Sequence, residues 1–173
     1  MYGSDFTSIR GLTMNVPQAT LEEVLGVYVP GWRYLTRAEL QFPDAHGEFS
    51  IAKSAYVKDT GHVNAAELVV CYSQLGYAAL VESKKQGLLH WPHGQAYPFL
   101  GIWQRLMIAT MENVKLRRPI DPRSFKGTFQ LRRIRKRDDC YFFQTQYDFE
   151  KGSATGDILL ALPIIQKVRT YQD

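Results

Sequence analysis

Asn64, Glu67, Cys71, Gln74 and Ala78 recur at spacings of three and four residues. On a helix that turns by about 100° per residue, this spacing lines them up as one narrow stripe. What the stripe can do depends on Glu67. A carboxylate buried alone costs several kcal/mol, so it needs a partner, a water or a function. A tyrosine or arginine from a facing sheet would satisfy it. A substrate that must lose a proton would use it as a base. Both readings are open at this point. Just upstream stands Thr60-Gly61-His62-Val63-Asn64. Gly61 permits a tight turn, Asn64 is a good helix N-cap, and amide N–H groups at a helix start can hold an oxyanion. His62 could act as a base, although a lone histidine beside a helix start more often has a structural role.

The elements that must position these groups follow from pattern. From Asn64 to about Lys84 the only glycine or proline is Gly76, and almost no polar face remains. A helix that is apolar nearly all round is a buried one. Ser83-Lys84-Lys85-Gln86-Gly87 ends it with cations and a glycine. Upstream, Thr20 is an N-cap candidate for a short helix with Glu22 and Glu23 in its first turn, stopped by Val29-Pro30-Gly31. Residues 1–19 read as a loose lead-in. Arg33 to Phe42 and Phe49 to Val57 read as a hairpin around Pro43-Asp44-Ala45-His46-Gly47. His90 to Trp103 is irregular and aromatic, fitting a short helix or a lid. Leu106 to Leu116, Phe125 to Lys136, Tyr141 to Phe149 and Ala154 to Leu162 read as strands. Strands segregated from one core helix imply an α+β chain, an antiparallel sheet wrapped around that helix. The hotdog fold has this arrangement, and other α+β folds share it. No repeat and no linker composition divides the chain, so a single domain over 1–173 is expected.

Composition narrows the function classes. Hydrophobic residues make up 45% of 173, enough for one core. No apolar run approaches the roughly 20 residues that span a bilayer, no signal peptide is evident, and the cysteines, Cys71 and Cys140, are too few for a disulfide framework. A cytoplasmic setting is the expectation. His90 and His93 flank Trp91-Pro92 without a supporting Cys or carboxylate pattern, so no metal site is expected. There is no Gly-x-Ser-x-Gly elbow and no Walker or dinucleotide glycine pattern, and no cofactor is called for. The formal charge of +4 is mild. It suits anionic partners such as coenzyme A or an acidic carrier protein and does not demand nucleic acid. The sharpest charge feature is Arg132-Arg133-Ile134-Arg135-Lys136-Arg137. In a regular strand Arg133, Arg135 and Arg137 share one face, and Arg132 and Lys136 the other. A solvated or edge-protecting strand is the first reading of this run, and docking of coenzyme A phosphates or an acidic carrier protein the second.

Thr60-Gly61-His62-Val63-Asn64-Ala65-Ala66-Glu67-Leu68, with Cys71-Tyr72-Ser73-Gln74-Leu75, resembles the FcoT-like thioesterase family, also called type III fatty acyl-CoA thioesterases. Ser54-Ala55-Tyr56-Val57, Tyr28 with Arg33-Tyr34-Leu35, Arg118-Pro119 and Thr155-Gly156-Asp157-Ile158 carry the same likeness. The resemblance implies a hotdog fold, a homodimer or higher homo-oligomer with sites near the protomer interface, and acyl-CoA or acyl-carrier-protein substrates. It places Tyr28, Tyr56 and Asn64 at the site. Ser73 stands where the family has an asparagine. Lys58 stands where common hotdog thioesterases have an aspartate, with Asp59 one place on. Family members from natural-product pathways add glycine to the β-carbon of a (2E)-enoyl thioester and hydrolyse the thioester to an N-carboxymethyl-3-amino acid. That chemistry would use Glu67 as the base for the glycine amine. The helix start near Gly61, His62 and Asn64 would hold the enolate, and Tyr56 would supply or orient the α-carbon proton. Arg33, Lys53 or Lys58 would bind the glycine carboxylate, with Ser73 and Gln74 also at the substrate. Tyr72, Trp103, Leu106 and Met107 are candidate lining for the acyl tail. Plain hydrolysis of fatty acyl-CoA or acyl-carrier protein is the alternative. A non-enzymatic acyl-binding protein is a third possibility, from a different class.

Overall fold

The computed structural model describes residues 13–54, 57–58, 60–89 and 105–164. In chain order these form β1 (Thr13–Asn15), α1 (Gln18–Leu25), a 3-10 turn (Pro30–Trp32), β2 (Leu35–Gln41), β3 (Asp44–Phe49) and α2 (Ala65–Lys85). After them come β4 (Met107–Leu116), β5 (Phe125–Arg137), β6 (Cys140–Phe149) and β7 (Ala154–Pro163). The strands make one antiparallel sheet in the order β1-β2-β3-β5-β6-β7-β4. α2 packs on β2, β3 and β5, with α1 against it.

The alternation of side chains explains the core. On β6, Tyr141, Phe143, Thr145, Tyr147 and Phe149 point inward and are buried. Phe49 and Phe125 stack with ring centroids 5.2 Å apart, and Phe149 meets both rings edge-on. Burying each such ring contributes on the order of 2 kcal/mol. Gly76 belongs to this packing. A Cβ there would sit 3.1 Å from the Phe129 ring, so glycine lets the helix backbone lie close on β5.

Several elements differ from the sequence pattern, each for a local reason. α1 begins at Gln18 behind Pro17, whose φ of −59° suits a helix start, and Thr20 lies inside it. The Thr20 hydroxyl instead donates to the buried carboxylate of Glu82 at 2.8 Å. Glu22 and Glu23 are therefore not first-turn residues. The β2–β3 turn is only Phe42–Pro43, and Asp44 to Gly47 already pair with β2. β3 stops at Phe49, where Ile51 N–H donates to the Pro122 carbonyl rather than to a strand. Thr13 to Asn15, expected in a loose lead-in, pair with Glu39 to Gln41. In β5 the register slips between Leu131 and Arg133. This bulge re-phases the strand, so that Ile134 lies opposite the buried Phe143. Arg132 thereby leaves the face of Lys136 and binds Gln146 on the outer side. The possible helix or lid at His90 to Trp103, with His90, His93 and Trp103, lies outside the described residues.

Gln74 ties the sheet to the helix. It is fully buried. Its Oε1 accepts from Tyr34 N–H at 3.0 Å and Leu35 N–H at 2.9 Å, and its Nε2 donates to the Trp32 carbonyl. Replacing it with leucine strands those backbone groups away from water. Gln74→Leu should lower the unfolding free energy by about 2–4 kcal/mol, read as a lower urea midpoint at unchanged slope. A loss below about 0.5 kcal/mol would refute this role.

Candidate active site

The site is built from the first turn of α2 outward. Asn64 is the N-cap, and its side-chain oxygen accepts from Ala66 N–H at 3.0 Å and Glu67 N–H at 3.1 Å. Glu67 reaches back, its Oε2 accepting from Asn64 N–H at 3.0 Å. This reciprocal pair is a capping box. An N-cap of this kind is worth about 1 kcal/mol. Gly61, at φ +74°, makes the left-handed turn that brings the chain to this start. The Thr60 hydroxyl donates to the His62 carbonyl, and His62 Nδ1 lies 3.0 Å from the Thr60 carbonyl. A neutral ring donating from Nδ1 keeps Nε2 as an acceptor.

The capping box corrects the idea of an open set of oxyanion donors. Ala66, Glu67 and Asn64 N–H are engaged by it, and Val63 N–H donates to the Ile120 carbonyl. Among the described residues, Ala65 N–H is the first-turn amide left without an acceptor, and Ala65 is exposed. One donor at this helix start therefore faces solvent.

Glu67 itself is 2% exposed. Its second oxygen, Oε1, has no hydrogen-bond partner among the described residues. No tyrosine or arginine among the described residues meets it there, so the purely structural reading accounts for one oxygen and leaves the other. The carboxyl borders a cavity of about 150 Å³ whose lining includes Lys53, Ser54, Thr60, His62 and Arg123. Ser54 Oγ is likewise buried without a partner among the described residues. The backbone bonds from Val63 to Ile120 and from Ile51 to Pro122 hold the 120–123 segment across the helix start. They thereby bring Arg123 to the cavity. Arg123 is gripped by Asp121 at 2.6 Å and holds that carboxyl down at about 2 through its hydrogen bonds.

Of the residues expected at the site, Glu67, Asn64, Gly61 and His62 come together. Lys58 is exposed beside them and does not line the cavity. Tyr28 and Arg33 sit with the 3-10 turn, where Arg33 Nε donates to the Tyr28 carbonyl at 2.9 Å. That turn is fastened to Gln74, two helical turns or about 10 Å along α2 from Glu67. Ser73 donates to the Val69 carbonyl at 2.9 Å. Gln74 is spent on backbone groups and is closed to substrate. Tyr72 is in the core, its hydroxyl 2.6 Å from Thr145 Oγ1. Tyr56 lies outside the described residues. Sequence reading missed Ser54 and Arg123. An exposed arginine after a proline carries no signal until its neighbours across the fold are known.

The model of the FcoT-like thioesterase domain matches residues 23–162. The chain belongs to the FcoT-like thioesterase family. A (2E)-enoyl-[ACP] glycyltransferase of Streptomyces coeruleorubidus is 32% identical over 128 residues, 69% of this chain and 76% of that protein. A (2E)-enoyl-[ACP] glycyltransferase of Mycobacterium marinum is 28% identical over 163 residues, covering 86% and 88%. The dehydratase domain of RzxB from Pseudomonas fluorescens superposes with a TM-score of 0.54 at 13% identity, over 87% of this chain and 50% of that one, a likeness of fold alone. The sheet wrapped around α2 is the hotdog fold of this family.

In this FcoT-like protein the stripe also carries a thiol, which the geometry keeps out of the chemistry. Cys71 is fully buried, and burial, aided by the nearby Glu67 carboxyl, pushes its thiol well above the ordinary range. Native protein treated with a thiol reagent near neutral pH should therefore leave Cys71 unmodified, and denaturant should release it. Rapid native labelling at Cys71, mapped by peptide mass, would contradict this placement.

Proposed function

We propose that the chain is an acyl-thioester enzyme that adds glycine to the β-carbon of a (2E)-enoyl group carried on acyl carrier protein or coenzyme A. The thioester is then hydrolysed to release an N-carboxymethyl-3-amino fatty acid. The carrying observation is Glu67 Oε1, without a partner among the described residues, beside a cavity lined by Lys53 and Arg123. The glycine ammonium gives a proton to this oxygen, and the freed amine attacks the β-carbon. The N–C bond forms as the alkene electron pair moves into the thioester to make an enolate, whose oxygen Ala65 N–H faces. Protonation at the α-carbon completes addition. Water then attacks the carbonyl and the thiolate leaves. Tyr56 is our candidate for handling the α-carbon proton. The names of the two glycyltransferase relatives support this reading. Simple acyl thioester hydrolysis is the second reading, favoured by the thioesterase family model, with Glu67 Oε1 activating water.

We infer a cytosolic homo-oligomer acting on carrier-bound substrate. No helix among the described residues is long and apolar enough to cross a membrane. β4 is the last strand of the sheet, and Met107, Ile108, Met111, Val114 and Leu116 are exposed along it. A second copy is the natural cover for such an edge.

Two measurements test these readings. Incubation with a medium-chain (2E)-enoyl thioester should yield a glycine-dependent adduct by mass, and Glu67→Gln should slow its formation by at least about 100-fold. The glutamine keeps a carbonyl oxygen for Asn64 N–H, so the capping box survives. Free acid formed at the same rate without glycine, with no adduct, would overturn addition in favour of hydrolysis. Separately, light scattering should give a multiple of the 19.8 kDa protomer that falls to a single protomer in Met111→Glu. A wild-type monomer would refute the assembly.

A further inference from the structure

Three cations were candidates for the acceptor's carboxylate, and the fold separates them. Arg33 is on the far loop, donating to the Tyr28 carbonyl. Lys58 does not border the cavity that holds Glu67. Lys53 does border it, and among the described residues it makes no ion pair or hydrogen bond. The other cation of the lining, Arg123, has its guanidinium occupied by Asp121 through Nε and Nη2. Among the described residues the cavity thus offers one uncommitted positive charge, one carboxylate oxygen without a partner on a residue 2% exposed, and one partnerless hydroxyl on Ser54.

That set is complementary to an α-amino acid in its ordinary charge state, an ammonium one carbon away from a carboxylate. Glu67 Oε1 matches the ammonium and Lys53 the carboxylate, with Ser54 Oγ free to donate to a carboxylate oxygen. The cavity, about 150 Å³, has room for a small amino acid.

We propose that this cavity is the subsite for the acceptor amino acid, and that Lys53 is the residue that selects an amine bearing a carboxylate. The proposal rests on the glycine-adding reading above and makes it more specific. Lys53 binds substrate without touching the proton being moved, so its loss should appear in KM for the amine and not in the handling of the thioester.

The test compares glycine with glycinamide, which keeps the amine and lacks the carboxylate, in wild type, Lys53→Met and Lys53→Arg. Wild type should prefer glycine. Lys53→Met should raise the glycine KM at least about 10-fold, the scale of a lost charge-assisted contact. The KM of the enoyl thioester and the rate with saturating glycinamide should be unchanged, and Lys53→Arg should restore part of the glycine preference. An unchanged glycine KM in Lys53→Met, or an equal loss with glycine and glycinamide, overturns the assignment while leaving glycine addition standing. A wild type that forms no glycine adduct but hydrolyses thioester overturns the addition reading, and this subsite with it.

Discussion

A helix enclosed by a sheet must find a partner for every polar atom it carries inward, and this requirement organises the molecule. α2 buries Glu67, Gln74, Glu82 and Ser83 along with its apolar side chains. Gln74 meets the requirement by taking the backbone of the 3-10 turn and the first residues of β2, which fixes how that end of the sheet crosses the helix. Glu82 meets it with the Thr20 hydroxyl of α1 and the Gln86 amide. Lys85 closes the same contact by donating to Thr20 Oγ1 and pairing with Glu23 at 2.7 Å. Gln74 and Glu82 therefore each specify a neighbour. An apolar substitute would fill the space without choosing one.

Glu67 is the exception, and the proposed chemistry rests on it. One oxygen is used as Gln74 and Glu82 use theirs. The other remains open beside a cavity. An exposed carboxylate would be saturated by water, and a fully bonded one could not approach a substrate proton. The first turn of α2 lies between those limits. It is held from outside by the 120–123 segment, whose carbonyls accept from Val63 and Ile51. The Ile51 to Pro122 bond also joins two residues of the cavity lining.

How much of this could be read from sequence depends on how local each cause is. The Asn64 cap, the length of α2 and the strands from Met107 onward follow from residue type and periodicity within a few positions, and the structure has them. The turn at Phe42–Pro43 and the pairing of Thr13 to Asn15 depend on strands found elsewhere in the chain, so pattern placed them wrongly. The bulge at Arg132 is a property of two strands together. No alternation within β5 alone reveals that Leu131 faces Thr145 while Arg133 faces Gln144. The site divides in the same way. Glu67 and Asn64 share a helix and announce themselves by spacing. Lys53, Ser54 and Arg123 are brought together only by the closure of the sheet.

The capping box has a chemical consequence beyond helix stability. A protonated carboxyl donates through one oxygen and accepts through the other. Glu67 Oε2 is committed as the acceptor of Asn64 N–H, an obligation it keeps whether the group is charged or neutral. In the proposed addition a proton taken from the amine therefore rests on Oε1, which has no partner among the described residues. On that proposal the cap decides which oxygen acts as base. It also prevents the carboxyl from rotating to hide the proton against the helix. Were Asn64 N–H to lose this hold, both oxygens would become equivalent and the proton would have no fixed place to return from. In the proposed mechanism the residue that begins the helix also aims the base.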